Sequence, residues 1–497
     1  MLKRILPIRH FLIAVILLSS ITYAQTRGAS GTHLIPRVQR PVLTRQTTAT
    51  NFQVGDQLTV PAFSFVLIGG GIYQTTTTCR YVGKNVYVFV EDVIANKPQV
   101  HDARIAEIAQ IFDASTAADP NRGVYDISTD LFGAPPDVDN DPRILIVLLD
   151  ILDSQITGST FIGYFDANNQ TGQAMREILY VDPLESVSNP PQTLAHEFQH
   201  MLHWYGDSDE DVWIDEMCSE YAELACGYKD TTTTAGETFL QAPNIKLTVW
   251  EDLPFDFDQV YLFGVYLAQR VGEQVFRPLV SEQLNGVEGL NTSLAKLGKE
   301  RFEDLFFAWT AATYFDGPAA LGYKRIDLGQ VGTDTVSTSD RTQRLARLRG
   351  ADYLVLDQPG RYDVTLESLG DNTVAATLLL DSPTDPGYIV ISTDPGTIKT
   401  VSVYSDKLTA VAVSTIAGTS ESYGLSFKSG TITAESAEAA DSDKDRDVDF
   451  EDFLRFAGHF NTTADRLGYD PSYDYNTDHQ IDFTDFLIFA SHFGASF

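Results

Sequence analysis

The chain has 497 residues, of which 43% are hydrophobic and 21% are charged. This composition is typical of globular proteins and excludes wholesale disorder or a protein that crosses the membrane many times. A chain of this length is expected to form three or four folded units. Its formal net charge of −33 opposes binding to nucleic acid, because two polyanions repel each other. The sequence has no basic patch that would offset this charge, so no nucleic acid partner is expected.

Residues 1–24 have the layout of a secretory signal peptide. Basic residues precede the apolar run Phe11–Leu18, and small or polar residues lead to Ala24. The apolar run is short for a bilayer span, which favours cleavage near Gln25 over an uncleaved anchor. We therefore expect a secreted or cell-surface protein whose mature chain has no membrane span.

The three cysteines of the chain, Cys79, Cys218 and Cys226, do not form a disulfide scaffold. Cys218 and Cys226 are too far apart to pair with each other, because their spacing on a predicted helix corresponds to about 12 Å. A bridge from Cys79 to either of them and three buried thiols both remain open. A Cys79 thiolate that caps a metal ion is a further alternative.

Composition and periodicity change along the chain. Residues 25–80 are rich in Thr, Gln, Gly and Pro and contain short alternating stretches such as Gln57–Val66, so we expect a loosely ordered leader or propeptide there, followed by strands. In residues 81–328, β-branched runs such as Arg143–Asp150 precede helical patterns at Pro191–Trp204 and Val212–Gly227. This order predicts an α+β domain.

The rest of the chain lacks long helical patterns. Residues 329–432 contain seven short strand patterns separated by turn residues, which predicts an all-β sandwich. Residues 433–440 read as a linker of small and acidic residues. An internal repeat follows in residues 441–497, where Asp441–Phe460 can be laid over Asp474–Phe493. Two copies of a loop followed by a helix are expected there.

His196, Glu197 and His200 form an H-E-x-x-H motif on the first of the predicted helices. Positions i and i+4 lie on one face of a helix, so both imidazoles can reach one zinc ion while Glu197 stands beside an activated water molecule. A hydrolytic zinc site also needs a third protein ligand and one open position.

A candidate for the third ligand lies on the next predicted helix. Glu216, Glu220 and Glu223 recur along one face of that helix. They form either a solvated acidic stripe or part of the metal site. Their position shortly after the H-E-x-x-H motif favours the metal site.

The residues around both helices resemble a known family. Thr193–Met201 followed by Trp213–Tyr221 resembles secreted gluzincin-type zinc metallopeptidases of the hyicolysin family and, more distantly, immune inhibitor A. The resemblance covers roughly residues 81–325 and implies a zincin-type fold that hydrolyses proteins or peptides. In that class the acid of a W-x-x-E-G-x-S-x-Y segment is the third zinc ligand, which corresponds to Glu216 here. Met217 stands where the family has glycine.

The implied mechanism is hydrolysis by a zinc-activated water molecule, with Glu197 as the general base that later protonates the leaving amine. We expect Glu220 to accept a hydrogen bond from a ligating imidazole. Tyr205, Tyr221 and Tyr261 are candidate donors to the oxyanion. The rival hypothesis is a catalytically inactive peptidase fold that serves as an adhesin or scaffold component. The intact motif favours the enzyme.

The repeat at the end of the chain contains two twelve-residue loops with oxygen-bearing side chains at positions 1, 3, 5, 7, 9 and 12. This spacing suits calcium, which prefers six to eight oxygen ligands in a flexible cage. Position 6, usually glycine, is Arg446 in one loop and His479 in the other. The predicted calcium ligands are Asp441, Asp443, Asp445, Asp447, Asp449 and Asp452 in the first loop and Asp474, Asn476, Asp478, Gln480, Asp482 and Asp485 in the second.

The loop pair resembles a small α-helical dockerin-type module of the EF-hand kind, which implies docking onto a cohesin-like partner. The positions that usually carry small hydroxyl residues for that contact hold Phe450-Glu451 and Phe483-Thr484 instead. Retention at the cell surface and a purely structural role therefore remain alternatives. Altogether the sequence predicts a multidomain protein that contains a metallopeptidase domain, a β-sandwich and a calcium-binding tail.

Overall fold

In the computed structural model the chain divides into two compact units, Met1–Gly332 and Thr333–Phe497. The predicted signal peptide lies outside the residues that the structure describes, as does all of the predicted linker 433–440 except its last residue. The described residues are 29–36, 38, 51–66, 71–153, 160–171, 174–185, 187–317, 321–336, 341–356, 360–380, 386–405, 408–414, 420–429 and 440–495 without 465, 467 and 477.

The first unit is built on one mixed sheet. Its strands are β1 (Ala29–Ser30), β2 (Gln57–Ser64), β3 (Gly71–Val82), β4 (Val86–Glu91), β5 (Ile144–Leu148), β6 (Phe161–Phe165) and β7 (Ile178–Val181). They form a 7-stranded sheet in the order β1-β6-β7-β5-β4-β3-β2. The central pairs β4 with β5 and β5 with β7 are parallel, whereas β6 with β7 and the pairs among β2, β3 and β4 are antiparallel. Every residue of β5 is buried, as its β-branched sequence predicts.

The region expected to be a leader contributes three strands to this sheet. The boundary expected at residue 80 falls inside β3, whose central threonines pair with both β2 and β4. Threonine fits a pleated sheet well because its side chain is β-branched. The Thr-rich composition of this segment therefore indicates strands as well as loosely ordered chain.

The helices of the first unit carry the predicted motifs. They are α1 (Asp102–Asp113), α2 (Val124–Phe132), α3 (Asn168–Thr171), α4 (Pro190–Gly206), α5 (Val212–Ala225), α6 (Glu237–Gln241), α7 (Pro254–Val271), α8 (Phe276–Val280), α9 (Gly286–Lys296) and α10 (Phe302–Phe315). Pro190 starts α4, where a missing N–H costs no hydrogen bond. Nearly all side chains of α4 and α5 are buried, so these are core helices rather than surface helices.

The three cysteines are free and buried. Cys79 lies in the hydrophobic core of the sheet beside Phe89 and Val147. Burial raises the pKa of the Cys79 thiol to about 11, which keeps it protonated near neutral pH. The structure thus agrees with three buried thiols rather than with a disulfide from Cys79 to Cys218 or Cys226.

The second unit begins with two sheets that share one core. Its strands are β8 (Asp334–Thr335), β9 (Arg341–Arg347), β10 (Asp352–Leu356), β11 (Gly360–Ser368), β12 (Val374–Leu380), β13 (Gly387–Thr393), β14 (Ile398–Ser405), β15 (Leu408–Ser414) and β16 (Ser420–Ser429). The sheet orders are β13-β12-β15-β10-β8 and β14-β11-β16-β9. Leu354 and Leu378 from one sheet and Val364 and Leu425 from the other belong to one buried cluster. This is a sandwich, as the strand pattern predicts.

The tail contains two similar loop-helix units. Its elements are α11 (Phe450–Ala457), β17 (Thr462–Thr463), β18 (Gln480–Ile481) and α12 (Phe483–His492). Asp449 caps α11 and Asp482 caps α12, each within a reciprocal capping box. Because the two helices begin in the same way, the internal repeat of the sequence is also a repeat of local structure. Among the described residues, no helix is both long enough and apolar enough to cross a membrane.

Gly163 on β6 sets how closely the sheet approaches α4. A Cβ atom at this position would lie 2.2 Å from Thr193 Cγ2 and 3.0 Å from the Tyr180 carbonyl oxygen. The Thr193 hydroxyl donates to the Asn189 carbonyl at 3.1 Å, which limits rotation of the crowded side chain. The glycine therefore brings strand and helix together next to the H-E-x-x-H motif.

We expect Gly163→Ala to destabilise the first unit by about 1–3 kcal/mol, the usual cost of overpacking a filled core. Denaturant unfolding followed by tryptophan fluorescence measures the loss. Gly317→Ala is the matched control, because the nearest atom to its added Cβ is 3.5 Å away. An equal loss in both variants would contradict this account of β6 and α4.

Candidate metal centre

His196, His200 and Glu216 meet between α4 and α5. One ligand atom from each residue lies within 4.8 Å of the others, and all three side chains are buried. His196 Nε2 is 3.3 Å from Glu216 Oε2, and His200 Nε2 is 3.6 Å from Glu216 Oε1. Ligand atoms arranged tetrahedrally around zinc at about 2.0–2.2 Å lie roughly 3.3–3.6 Å from each other. The observed spacing therefore fits a zinc ion.

The hydrogen bonding of these atoms also fits a metal. His196 Nε2 and both carboxylate oxygens of Glu216 are buried without a hydrogen-bond partner. Buried polar atoms normally have such a partner. These acceptor atoms converge in a buried place and have no hydrogen-bond donor among the described residues, so their lone pairs are available to bind a cation. The donor set of two imidazoles and one carboxylate suits zinc.

Carboxylates on α5 orient both imidazoles. His196 Nδ1 lies 2.8 Å from Glu223 Oε1, and His200 Nδ1 lies 3.0 Å from Asp215 Oδ1. Each carboxylate accepts a hydrogen bond from Nδ1 and thereby leaves the lone pair of Nε2 directed at the cluster.

The hydrogen bond expected from Glu220 is made by Glu223 instead. Glu220 Oε1 is 3.9 Å from His196 Nδ1, and its other oxygen contacts Lys229 Nζ. The two imidazoles converge on Glu216 through Nε2, so their Nδ1 atoms point away from each other. The Nδ1 atom of His200 contacts Asp215, which precedes Glu216 on α5, and the Nδ1 atom of His196 contacts Glu223, which follows it. The prediction of Glu220 was based only on its position one helical turn after Glu216, which does not include the direction of the His196 ring.

The charges of the cluster also call for a cation. Burial disfavours a charged carboxylate, but the neighbouring His200 and His196 hold the pKa of Glu216 below its ordinary value. Burial likewise disfavours a charged His196, yet Glu216 and Glu223 raise its pKa well above the ordinary value. Glu216 is therefore an anion in a place where water does not reach it.

The predicted base, Glu197, is buried beside this cluster. Its Oε2 accepts a hydrogen bond of 2.6 Å from the Thr32 hydroxyl. Two candidate oxyanion donors have other partners: Tyr221 donates to Glu273 at 2.6 Å, and Tyr261 donates to the Asp230 carbonyl at 2.8 Å. Tyr205 is partly exposed on α4.

The structure accounts for the methionine at position 217. A Cβ atom added to Gly264 on α7 would lie 2.9 Å from Met217 Cγ and 3.3 Å from the Met217 carbonyl oxygen. The small residue that permits close helix packing thus lies on the opposite helix in this chain. A glycine inside an otherwise apolar helical pattern is the sequence signal for such packing.

The tail brings five of the six predicted calcium ligands of its first loop into two overlapping groups, neither of which includes Asp445. Ligand atoms of Asp441, Asp443 and Asp452 lie within 4.8 Å of one another, and so do those of Asp447, Asp449 and Asp452. Asp441 accepts hydrogen bonds from the N–H groups of Asp445 and Arg446 at 3.1 and 2.9 Å.

The second loop repeats this main-chain pattern. Asp474 accepts hydrogen bonds from the N–H groups of Asp478 and His479 at 3.1 and 2.9 Å. Both residues at position 6 adopt the left-handed conformation, with φ of 77° at Arg446 and 70° at His479. Glycine adopts this conformation at lower cost. The loops therefore have the turn that the spacing predicts, with a less suitable residue at its apex.

Comparison with known proteins finds similarity to a metalloprotease. The chain is 28% identical over 255 residues to neutral metalloprotease ShpI of Staphylococcus hyicus, a match that covers 45% of this chain and 54% of that protein. The similarity supports a metalloprotease family. The chain spans about half the length of this relative.

Two further comparisons add nothing to the site. No protein-family model matches the chain. The pre-peptidase C-terminal domain of a collagenase from Bacillus anthracis is 13% identical, with coverage of 20% of this chain and 95% of that domain and a TM-score of 0.14. A score this low supports no inference.

We expect Glu223→Gln to weaken zinc binding by about 10- to 100-fold, because a neutral amide oxygen is a weaker acceptor for the His196 ring proton than the carboxylate. Competition with a chromophoric chelator measures the affinity. Glu220→Gln is the matched control, since it changes a neighbouring carboxylate that does not hold the ring. An equal or larger loss in the control would return the orienting role to Glu220.

Proposed function

We propose that this chain is a zinc-dependent endopeptidase that hydrolyses peptide bonds in proteins. The observation that carries the proposal is the convergence of buried ligand atoms of His196, His200 and Glu216, among which His196 Nε2 and both Glu216 oxygens have no hydrogen-bond partner. The similarity to a metalloprotease supports it independently. A zincin-type fold for the first unit belongs to the same proposal.

In this mechanism His196, His200 and Glu216 hold the metal. When bound, zinc lowers the pKa of a water molecule toward neutrality and polarises the scissile carbonyl. Glu197 would accept a proton from the attacking water on its carboxylate and then pass it to the leaving amine.

Asp215 and Glu223 are positioning residues in this mechanism. They keep the protons of the two imidazoles on Nδ1. Lys229 lies beside Glu220 and is 2.8 Å from Glu223 Oε2, so it offsets part of the negative charge on α5. The positive charge of Lys229 therefore helps to balance the buried carboxylates of α5 that do not bind the metal.

We expect Glu197→Gln to lower hydrolysis of an unfolded protein substrate by at least about 100-fold, because the amide cannot accept the proton. Bound zinc should remain at about one equivalent, since the residue does not hold the metal. Turnover and metal content are measured on the same preparation.

Glu216→Ala is the companion variant and should lose both zinc and activity. Hydrolysis by Glu197→Gln at the wild-type rate would refute the mechanism. The rival hypothesis is an inactive peptidase fold used as an adhesin or scaffold component, and it would be favoured if neither the zinc-loaded wild type nor a zinc-loaded variant with Thr32→Val and His33→Ala, whose side chains contact Glu197 and Glu216, cleaved any of a broad panel of peptides. The intact set of His196, Glu197, His200 and Glu216 favours the enzyme.

We also propose that residues 441–497 form a calcium-dependent docking or retention module of dockerin type. Support comes from the carboxylate groups of the first loop and from the main-chain hydrogen bonds that both loops share. Phe450 and Phe483 occupy equivalent positions after the loops and are 59% and 57% exposed. A cohesin-like or cell-surface partner would meet two aromatic rings there rather than two hydroxyl groups.

An extracellular location fits this proposal. Residues 1–24 have the layout of a signal peptide, and calcium-binding modules outside the cell work at about 10⁻⁴–10⁻³ M calcium. Weak loops suffice at such concentrations. The left-handed Arg446 and His479 are therefore compatible with a function in the medium or at the cell surface.

We expect the tail to be protected from amide hydrogen exchange only when calcium is present, because its crowded carboxylates repel each other until a cation neutralises them. Exchange is followed by mass spectrometry on the full chain with calcium and with excess chelator. The sandwich strands of the second unit serve as the internal control. Equal protection of residues 441–495 in both conditions would refute calcium-dependent folding.

A further inference from the structure

Residues 29–36, the N-terminal segment, lie along the strand nearest the metal centre. β1 pairs in parallel with β6, and the Gly31 N–H donates to the Gly163 carbonyl at 2.9 Å. β6 pairs with β7 on its other side, so the segment covers the remaining side of β6. Main-chain pairing to a free strand side is a common way for proteins to hold extended peptides, because it accepts many sequences.

The segment then reaches the proposed base. The Thr32 hydroxyl accepts a hydrogen bond from the Phe165 N–H at 2.8 Å and donates to Glu197 Oε2 at 2.6 Å. Thr32 is only 7% exposed, so solvent does not compete for this contact. The Thr32 hydroxyl therefore occupies one of the two carboxylate oxygens that could receive the proton of a water molecule.

The next residue contacts the proposed third ligand. His33 Nδ1 lies 3.4 Å from Glu216 Oε1 and has no hydrogen-bond partner, and the side chain is 3% exposed. His33 Nε2 lies 2.7 Å from Asp252 Oδ1. His33 thus repeats the arrangement of His196 and His200, with one ring nitrogen held by a carboxylate and the other directed at Glu216.

The rest of the segment continues past the site. The ring of His33 packs edge-on against Trp250 and Phe257, with ring centroids 5.7 and 6.0 Å away. Beyond it Ile35 is buried, and the Trp204 indole N–H donates to the Val38 carbonyl at 2.8 Å. Leu34 points outward and is 43% exposed. The segment therefore fills a groove from β6 to α4 and leaves little of Glu197 accessible.

We propose that the N-terminal segment is an internal inhibitor that occupies the peptide-binding groove, with Thr32 on Glu197 and His33 against Glu216. The inference rests on the proposed peptidase function and assigns the substrate groove to the side of β6 that the segment covers. A peptide substrate pairs with β6 in place of β1 after the segment has left.

The test uses the full zinc-loaded chain with Thr32→Val and His33→Ala, singly and together. Thr32→Val keeps the shape of the side chain and removes only the hydroxyl. The matched control is Leu34→Ala, which shortens an exposed side chain of the same segment. Thermal unfolding confirms that each variant is folded. Two quantities are measured: the rate at which a chelator removes zinc, and the kcat/KM for a fluorogenic peptide.

We expect the double variant to release zinc about tenfold faster and to cleave the peptide about tenfold faster than the wild type, because a hydrogen bond to a charged group contributes that much. Leu34→Ala should match the wild type. Adding a synthetic peptide with the sequence of residues 28–38 should slow both processes in the double variant.

Lower kcat/KM in Thr32→Val with unchanged zinc release would overturn the inference, because Thr32 would then support Glu197 rather than block it. Variants that behave like Leu34→Ala in both measurements would also overturn it. If no chain cleaves the peptide, the peptidase proposal fails by itself. The zinc-release rates then still decide whether the segment covers the site, and the double variant with added Glu197→Gln shows that any cleavage gained depends on the proposed base.

Discussion

The buried charge of Glu216 is the constraint around which the first unit is organised. A carboxylate removed from water costs several kcal/mol unless positive groups surround it. In this chain its oxygens meet the ring nitrogens of His196 and His200 without forming hydrogen bonds. A cation at that point satisfies the carboxylate and both imidazoles together. Asp215 and Glu223 serve the same need, because each accepts a hydrogen bond from the Nδ1 of one ring and leaves Nε2 free to face the proposed metal.

Such a cluster requires two helices and a sheet strand at fixed distances. Gly163 lets β6 approach α4, and Gly264 lets α7 approach α5 at Met217. Both glycines act by the absence of a side chain rather than by any chemistry of their own. The metal centre is thus set by packing as much as by its ligands. Substitutions that never touch the metal are expected to move it, because close-packed interiors transmit small shifts.

Local sequence patterns predicted much of this arrangement. The helix expected at Pro191–Trp204 is observed at Pro190–Gly206, and the strand expected at Arg143–Asp150 is observed at Ile144–Leu148. Periodicity suffices there because each element is long and strongly apolar. The contact between Thr32 and Glu197 joins residues 165 positions apart, and no local pattern encodes it. Whether Glu223 or Glu220 holds the His196 ring likewise depends on the angle at which α4 and α5 cross, and the sequence of neither helix alone predicts that angle.

The covered side of β6 has a consequence for the fate of the molecule after the segment departs. A bare strand side presents unpaired N–H and C=O groups to any extended chain, and natural proteins usually blunt such edges with charge, bulges or a covering element. β6 has the sequence Phe-Ile-Gly-Tyr-Phe, with no charge and no proline. Once uncovered, this strand would be prone to pair with other copies and form aggregates. If the segment leaves as proposed, another element or a bound peptide would have to cover that edge to prevent such pairing.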